Sequence, residues 1–112
     1  MKQAQRKICD DNGATFYAID DNGKVGISKN VKDGLTLPIH GLRHPPVDDS
    51  TGWYIWAGEY SENQDFFQPL HAWHLQEWSP QIIKFLGLPP GWRFLVANEY
   101  EDVWYDETLL EV

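Results

Sequence analysis

The sequence predicts an α+β fold, a single domain with a mainly antiparallel sheet and two short helices packed on one face. Its length of 112 residues suits one hydrophobic core. Hydrophobic residues make up 42% of the chain and aromatic residues 14%, with six tryptophans, which is enough to build that core. Strand-like segments precede and follow helix-like ones without regular βαβ alternation, and this order is typical of α+β domains.

A hairpin is the first predicted element. Two Asp-Asp-Asn-Gly runs, at residues 10–13 and 20–23, flank the β-prone segment 14–19. Asn-Gly favours tight turns because both residues tolerate positive φ, so we predict a hairpin over residues 15–28. The runs also resemble a calcium loop, but Ile8 and Ala18 occupy the position of its first acidic ligand. A turn is therefore the favoured interpretation.

The middle of the chain predicts two further strands. Residues 35–42 form the first, and Pro38 restricts it to a sheet edge or a bulge because proline cannot donate a ladder hydrogen bond. Residues 43–51 are rich in proline and aspartate and predict a loop. Residues 53–57, Trp-Tyr-Ile-Trp-Ala, are apolar at every position, which predicts a central strand covered on both faces.

The last third of the chain predicts two helices and a second hairpin. Pro69 opens a short helix that extends to Trp78. Ser79 is a suitable N-cap for the next helix, which Gly87 ends. Residues 92–97 and 102–106 then pair as strands around a tight loop at 98–101.

Charge and cysteine content restrict the partners and the compartment. Seventeen acidic residues against nine basic ones give a net charge of -8, which disfavours free DNA or RNA and attracts basic proteins. The alternative is that the charge only maintains solubility. Cys9 is the only cysteine, so no intrachain disulfide can form. No segment has the length and hydrophobicity of a membrane span or a signal peptide, and we expect a cytoplasmic protein.

Metal binding is weakly indicated. His71, His74 and Glu77 are three residues apart and would lie on neighbouring parts of one helix. Three-residue steps drift around a helix of 3.6 residues per turn, so the third ligand is poorly aimed. We therefore expect ordinary packing of these side chains and no metal.

The sequence does not indicate a set of catalytic residues. His40 and His44 have acidic neighbours at Asp48 and Asp49, but no serine lies in a nucleophile motif beside them. Asp10, which follows Cys9, should raise the pKa of its thiol and make it a poor nucleophile. No phosphate loop or dinucleotide motif occurs. We predict a protein that is not an enzyme and that has no cofactor.

Two tyrosines surrounded by acidic residues are the best candidates for partner binding. Tyrosine contributes strongly to interfaces, and an aromatic ring among carboxylates suits a lysine- or arginine-rich partner. The candidate partner-binding residues are Glu59, Tyr60, Glu62, Glu99, Tyr100, Glu101 and Asp102. The alternative is a small-ligand or peptide pocket near Trp56 and Trp73.

Residues 27–112 resemble the bacterial immunity-protein domain family numbered thirty-three, formerly a domain of unknown function. The stretches that carry the resemblance are ISKNV at 27–31, STGWYIWAGE at 50–59, DFFQPLH at 65–71, LGLPPGWRF at 86–94 and YEDVW at 100–104. Residues 1–26 do not share it, and we interpret them as an added hairpin segment. The resemblance implies a cytoplasmic immunity protein that binds and neutralises a cognate toxin. Combined with the acidic charge, it makes a basic nuclease a suitable partner.

Overall fold

A six-stranded sheet organises the computed structural model, which describes residues 2–111. The strands are β1 (Lys24–Ile27), β2 (Ile39–Arg43), β3 (Ser50–Ala57), β4 (Gln68–His71), β5 (Trp92–Ala97) and β6 (Tyr100–Tyr105). Their order across the sheet is β4-β1-β3-β2-β5-β6. Only the β1–β3 pair is parallel, and the other four pairs are antiparallel. The predicted α+β class and the mainly antiparallel sheet are confirmed.

Helical segments cover one face of this sheet. They are α1 (Lys2–Asn12), α2 (Leu75–Trp78) and the 3₁₀ helices Lys29–Val31, Ala72–His74 and Pro80–Phe85, whereas the 3₁₀ helix Glu107–Leu110 lies beside His44 and outside the main hydrophobic core. Phe85 stacks on Phe94 of β5, and the indole of Trp53 in β3 donates to the Leu86 carbonyl. Gln5 of α1 donates to the Ile83 carbonyl, which fixes α1 on the same layer. These side chains are buried and belong to one core.

The predicted hairpin over residues 15–28 is wrong. The first Asp-Asn-Gly run ends helix α1 instead: Gly13 has φ +69°, and the Ala14 amide donates to the Cys9 carbonyl. Helix ends and hairpin turns need the same positive φ, so the run did not distinguish them. The Tyr17 amide then donates to Gly87, while β1 pairs with β3 and β4. Of the predicted hairpin, the structure retains the turn at residues 20–23, where the Gly23 amide donates to the Asp20 carbonyl.

Pro38 does not place its strand at an edge, so that prediction is also wrong. Strand β2 begins at Ile39, directly after the proline, and lies between β3 and β5. The proline therefore costs no hydrogen bond of the ladder. By contrast, β3 is an interior strand between β1 and β2, as the apolar run at 53–57 predicted.

The helix predicted from Pro69 to Trp78 begins later than expected. Pro69 lies in edge strand β4, where its missing N–H is tolerated, and helical structure starts at Ala72. The helix after Ser79 is a 3₁₀ helix, and Ser79 makes no capping hydrogen bond with its side chain. The second hairpin is confirmed, since β5 and β6 pair from Trp92–Tyr105 to Ala97–Tyr100.

Candidate functional site

The sheet face opposite these helices carries side chains that range from buried to exposed, and we call it the outer face. Alternation along each strand assigns its members, because Trp53 and Ile55 of β3 point into the core. Cross-strand pairing aligns Trp56, His40, Leu95 and Asp102 in one row. A second row contains Tyr54, Leu42, Arg93 and Trp104. The outer face is therefore rich in aromatic residues although it lies opposite the core.

A groove of about 570 Å³ lies on the outer face beside β3. Its volume is in the usual range of ligand sites, roughly 300–1,000 Å³. The rings of Trp56 and Tyr60 are 5.5 Å apart, and those of Trp56 and Phe67 are 6.0 Å apart, so the aromatic wall is well packed. We call this feature the aromatic groove, and its main lining residues are Leu42, Val47, Tyr54, Trp56, Tyr60 and Phe67.

Two glycines of the strands shape the aromatic groove. Gly52 has φ +89°, and a Cβ at this position would collide with the His44 carbonyl oxygen. The missing side chain lets the loop 44–49 fold close against β3 and form one wall. At Gly26, a Cβ would lie 2.7 Å from the ring of Tyr54, so the glycine makes room for this ring over β1. Both positions need glycine for close approach.

Most of the predicted partner-binding residues leave the sheet at one end. Ala57 of β3 pairs with Ile39 of β2, and Ile39 also pairs with Val96 of β5. The segment after β3 and the turn after β5 therefore project in the same direction. We call this region the acidic end, and it contains Glu59, Tyr60, Glu62, Glu99 and Tyr100, all of them exposed. The structure thus places two predicted clusters that are far apart in sequence at the same end of the sheet.

The other two predicted residues lie on opposite faces of β6. Asp102 is opposite Leu95 on the outer face. Glu101 turns to the helical side, where its carboxylate is 2.6 Å from the Lys84 ammonium group. Since Lys84 already neutralises Glu101, this residue is less suited to a partner than its neighbours are.

Leu35 is a candidate that sequence reasoning missed. It lies in the segment between β1 and β2, which crosses the same end of the sheet, and 86% of its surface is exposed. Tyr60 and Tyr100 at this end are 59% and 58% exposed. The only sequence signal was a leucine between Gly34 and Pro38, which we assigned to a strand and not to a surface. The acidic end therefore offers apolar as well as charged surface.

Carboxylates dominate the electrostatics of the outer face and of the acidic end. Among residues 2–111, the ion pairs are Lys7–Asp11, Lys24–Asp49, Lys84–Glu101 and Arg93–Asp106. Glu59, Glu62, Glu99 and Asp102 are in none of them. The Lys24 ion pair lowers the pKa of the Asp49 carboxyl, and hydrogen bonds from Thr108 and then Arg93 lower the pKa of the Asp106 carboxyl. Lys24, which alternation in β1 places on the outer face, and Arg93 of the same face are thus already paired.

The histidines and Cys9 lie in separate environments in the part of the chain that the structure describes. The rings of His71 and His74 are 6.4 Å apart, and no group of three metal-binding side chains is found in residues 2–111. His40 stacks on Trp56 at 4.9 Å, and burial followed by the Arg93 charge lowers its pKa. The Cys9 thiol is buried, which raises its pKa, and it donates to the Gly87 carbonyl.

Within residues 2–111, no helix is both long and apolar enough to cross a bilayer.

The ligand pocket near Trp56 and Trp73 is not found as predicted. Trp56 lines the aromatic groove, whereas Trp73 lines a different depression together with residues of α1. The Trp73 ring stacks on the neighbouring His74 at 3.7 Å. The two tryptophans therefore do not share a site, and the aromatic groove uses Tyr60 and Phe67 instead.

Comparison with known proteins identifies the family. A family model described as the Imm33-like domain matches residues 4–106. The matched range includes most of residues 1–26, which the resemblance to the immunity family left out. The structure agrees, because α1 packs on the core. No curated protein and no solved structure matches the chain. The family name agrees with the immunity-protein resemblance of residues 27–112, and since the match covers nearly the whole sequence, the chain belongs to the Imm33-like domain family.

Proposed function

We propose that this protein is a non-enzymatic immunity protein that binds a cognate bacterial toxin through the acidic end and the outer face. The observation that carries the proposal is the set of carboxylates at the acidic end that have no ion pair within residues 2–111, next to the exposed rings of Tyr60 and Tyr100. Membership of the Imm33-like family supports the immunity role in general terms. Exposed tyrosines supply contact area with few rotatable bonds, and unpaired carboxylates attract a basic surface.

A basic nuclease is the partner class that we propose. Nucleases bind the phosphate backbone through lysine and arginine, so their active clefts are positively charged. An acidic inhibitor can occupy such a cleft and block access of nucleic acid. The net charge of -8 suits this role, and we propose that inhibition takes place in the cytoplasm.

The test is protection of growing cells. The gene next to the one for this protein is expressed from an inducible promoter, with and without this protein. We expect growth arrest without it, growth with it, and a complex of the two purified proteins. Failure to protect, together with no complex at micromolar concentration, would refute the proposal.

Charge reversal identifies the contact surface in the same assay. Reversal of the exposed, unpaired acids Glu59, Glu62, Glu99 and Asp102 to lysine should weaken the complex by at least about tenfold, because like charges then meet. Lysine at Asp10, Asp20, Asp21 and Glu77, which are four exposed acids outside the acidic end and the outer face, is the matched control. Glu101 is left unchanged because its reversal would also break the contact with Lys84.

A second candidate function is favoured by the aromatic groove. Its volume of about 570 Å³ could hold a small ligand or a short peptide without any toxin. Native mass spectrometry of the purified protein distinguishes the two functions. A retained small molecule would favour this alternative, and a protein free of ligand that protects cells would favour the immunity role.

A further inference from the structure

The aromatic groove runs along β3 and is open to solvent at both ends. Val47, in the loop before β3, is 62% exposed at one end, and Tyr60 is 59% exposed at the other. Tyr54 and Trp56 lie between them on the outer face. The groove thus joins the acidic end through Tyr60, and a partner bound at the acidic end would lie directly over it.

Acidic residues adjoin the lining of the groove in sequence. Glu59 and Glu62 lie within two positions of Tyr60 and are exposed, and Asp48, which follows Val47, is exposed but lines a separate depression with Arg43. None of the three forms an ion pair within residues 2–111. Among residues 2–111, no lysine or arginine lines the groove. A ligand of this groove therefore meets aromatic rings without a competing positive charge from those two residue types.

His44 adds a hydrogen-bond acceptor to the lining. Its Nδ1 is 2.9 Å from the Leu109 carbonyl oxygen, and a carbonyl can only accept, so Nδ1 carries the proton. In the neutral imidazole, Nε2 is then the acceptor. The ring meets Tyr54 edge to face at 5.5 Å, which holds it in place. The groove can therefore accept hydrogen bonds from a cationic donor as well as stack on it.

We propose that the aromatic groove binds an arginine side chain that protrudes from the protein partner, an inference that rests on the proposed function. An arginine stem is apolar and its guanidinium is planar, so the stem matches Leu42 and Val47 while the head stacks on Tyr60. The exposed Glu59, next to Tyr60 in sequence, and His44 Nε2 supply acceptors for its donors. A second copy of this chain is a poor occupant because each copy carries a charge of -8.

Two peptides of nearly the same shape, one cationic and one neutral, test the proposal. Acetyl-Gly-Arg-Gly-amide is titrated into the ¹⁵N-labelled protein, and so is the same peptide with citrulline, whose neutral urea group has an oxygen in place of one guanidinium nitrogen. We expect the arginine peptide to shift the signals of Val47, Trp56 and Tyr60, with affinity at least about fivefold above that of citrulline. Equal shifts with both peptides would assign the groove to neutral ligands and overturn the proposal.

Substitutions of exposed aromatic residues locate the binding site. Tyr60→Ala removes a largely exposed ring, so the fold should persist, and the affinity for the arginine peptide should fall at least about fivefold. Trp73→Ala is the matched control, because this exposed ring lies outside the groove. Equal affinity of the wild type and Tyr60→Ala, with unchanged backbone spectra, would refute the assignment.

The outcomes separate this proposal from the proposed function. Protection of cells by Tyr60→Ala at the wild-type level, with no peptide response, would leave the immunity role in place and remove the groove from it. Peptide binding in the groove without protection by the wild type would instead refute the proposed toxin neutralisation and still support an arginine-binding groove. Each proposal can therefore fail alone.

Discussion

Arg43 shows how a single buried charge organises the chain. Its side chain is 1% exposed, and it donates to the carbonyls of Thr51, Tyr17 and Leu88. Its guanidinium also lies 4.6 Å from the ring centroid of Tyr17. Burial lowers its pKa to about 10, so it stays charged at neutral pH. One residue thus connects the segment after α1, the start of β3 and the turn before β5.

Replacement of Arg43 should destabilise the fold. Arg43→Met keeps the apolar stem but leaves three carbonyls without their donor, and we expect a loss of about 2–4 kcal/mol in the free energy of unfolding. Lys29→Met, at an exposed position, should change it by less than about 0.5 kcal/mol. Urea denaturation measures both, and equal stability of the two variants would contradict this role of Arg43.

His40 should make stability sensitive to mild acid. Its pKa in the folded protein lies below the ordinary value of 6.5 because burial against Trp56 and the nearby Arg93 disfavour the charged ring. The unfolded chain therefore takes up the proton first, and folding stability decreases as the pH falls from above 6.5 towards the lower folded value. His40→Gln should show a shallower decrease between about pH 7.5 and pH 5.5 in urea denaturation. Parallel pH profiles of the two proteins would contradict this coupling.

At the scale of the element, local patterns predicted strands better than helices. The β5–β6 hairpin matched the prediction because its alternation and its turn are both local features. The Asp-Asn-Gly run at residues 11–13 failed because helix ends and hairpin turns need the same backbone conformation. The segment after α1 is held by Gly87 and Arg43, whose proximity depends on the whole fold. Such long-range partners leave no local signal.

Gly52 of β3 should be the least replaceable of the five glycines with positive φ among residues 2–111. Gly52→Ala combines the left-handed conformation with a collision against the His44 carbonyl oxygen. We expect the free energy of unfolding to decrease by about 3 kcal/mol or more. Gly34→Ala is the matched control, since its φ is +69° but no atom lies within 4 Å of the added Cβ. The free energy of unfolding of Gly34→Ala should decrease by only about 1 kcal/mol. Thermal denaturation compares them, and similar losses would show that the contact with His44 is unimportant.

At the scale of the whole molecule, excess negative charge should govern association. Exposed acids at the acidic end, on the outer face and around the groove share one sign, and the bases of the outer face are already paired. The summed field therefore acts before any contact forms. Salt shortens the range of this field to a few ångströms.

Association with the proposed toxin partner should therefore slow as salt increases. From about 50 mM to about 500 mM NaCl, we expect the association rate constant to fall by about tenfold or more, with a smaller change in the dissociation rate. Stopped-flow mixing measures both rates. A variant with glutamine at Glu59, Glu62 and Glu99 should show a weaker salt dependence. An association rate that does not respond to salt would exclude electrostatic attraction.

The sequence alone determined the α+β class, the central position of the 53–57 strand, the second hairpin, the acidic charge and the resemblance to an immunity family. These properties follow from composition, alternation and short motifs, which are local. Only the tertiary structure decided that residues 59–62 and 98–100 share one end, that Glu101 is separated from Asp102 by the sheet, and that Trp56 forms a groove with Tyr60 and not with Trp73. Strand order and register set these neighbours, and both depend on contacts between residues far apart in the chain.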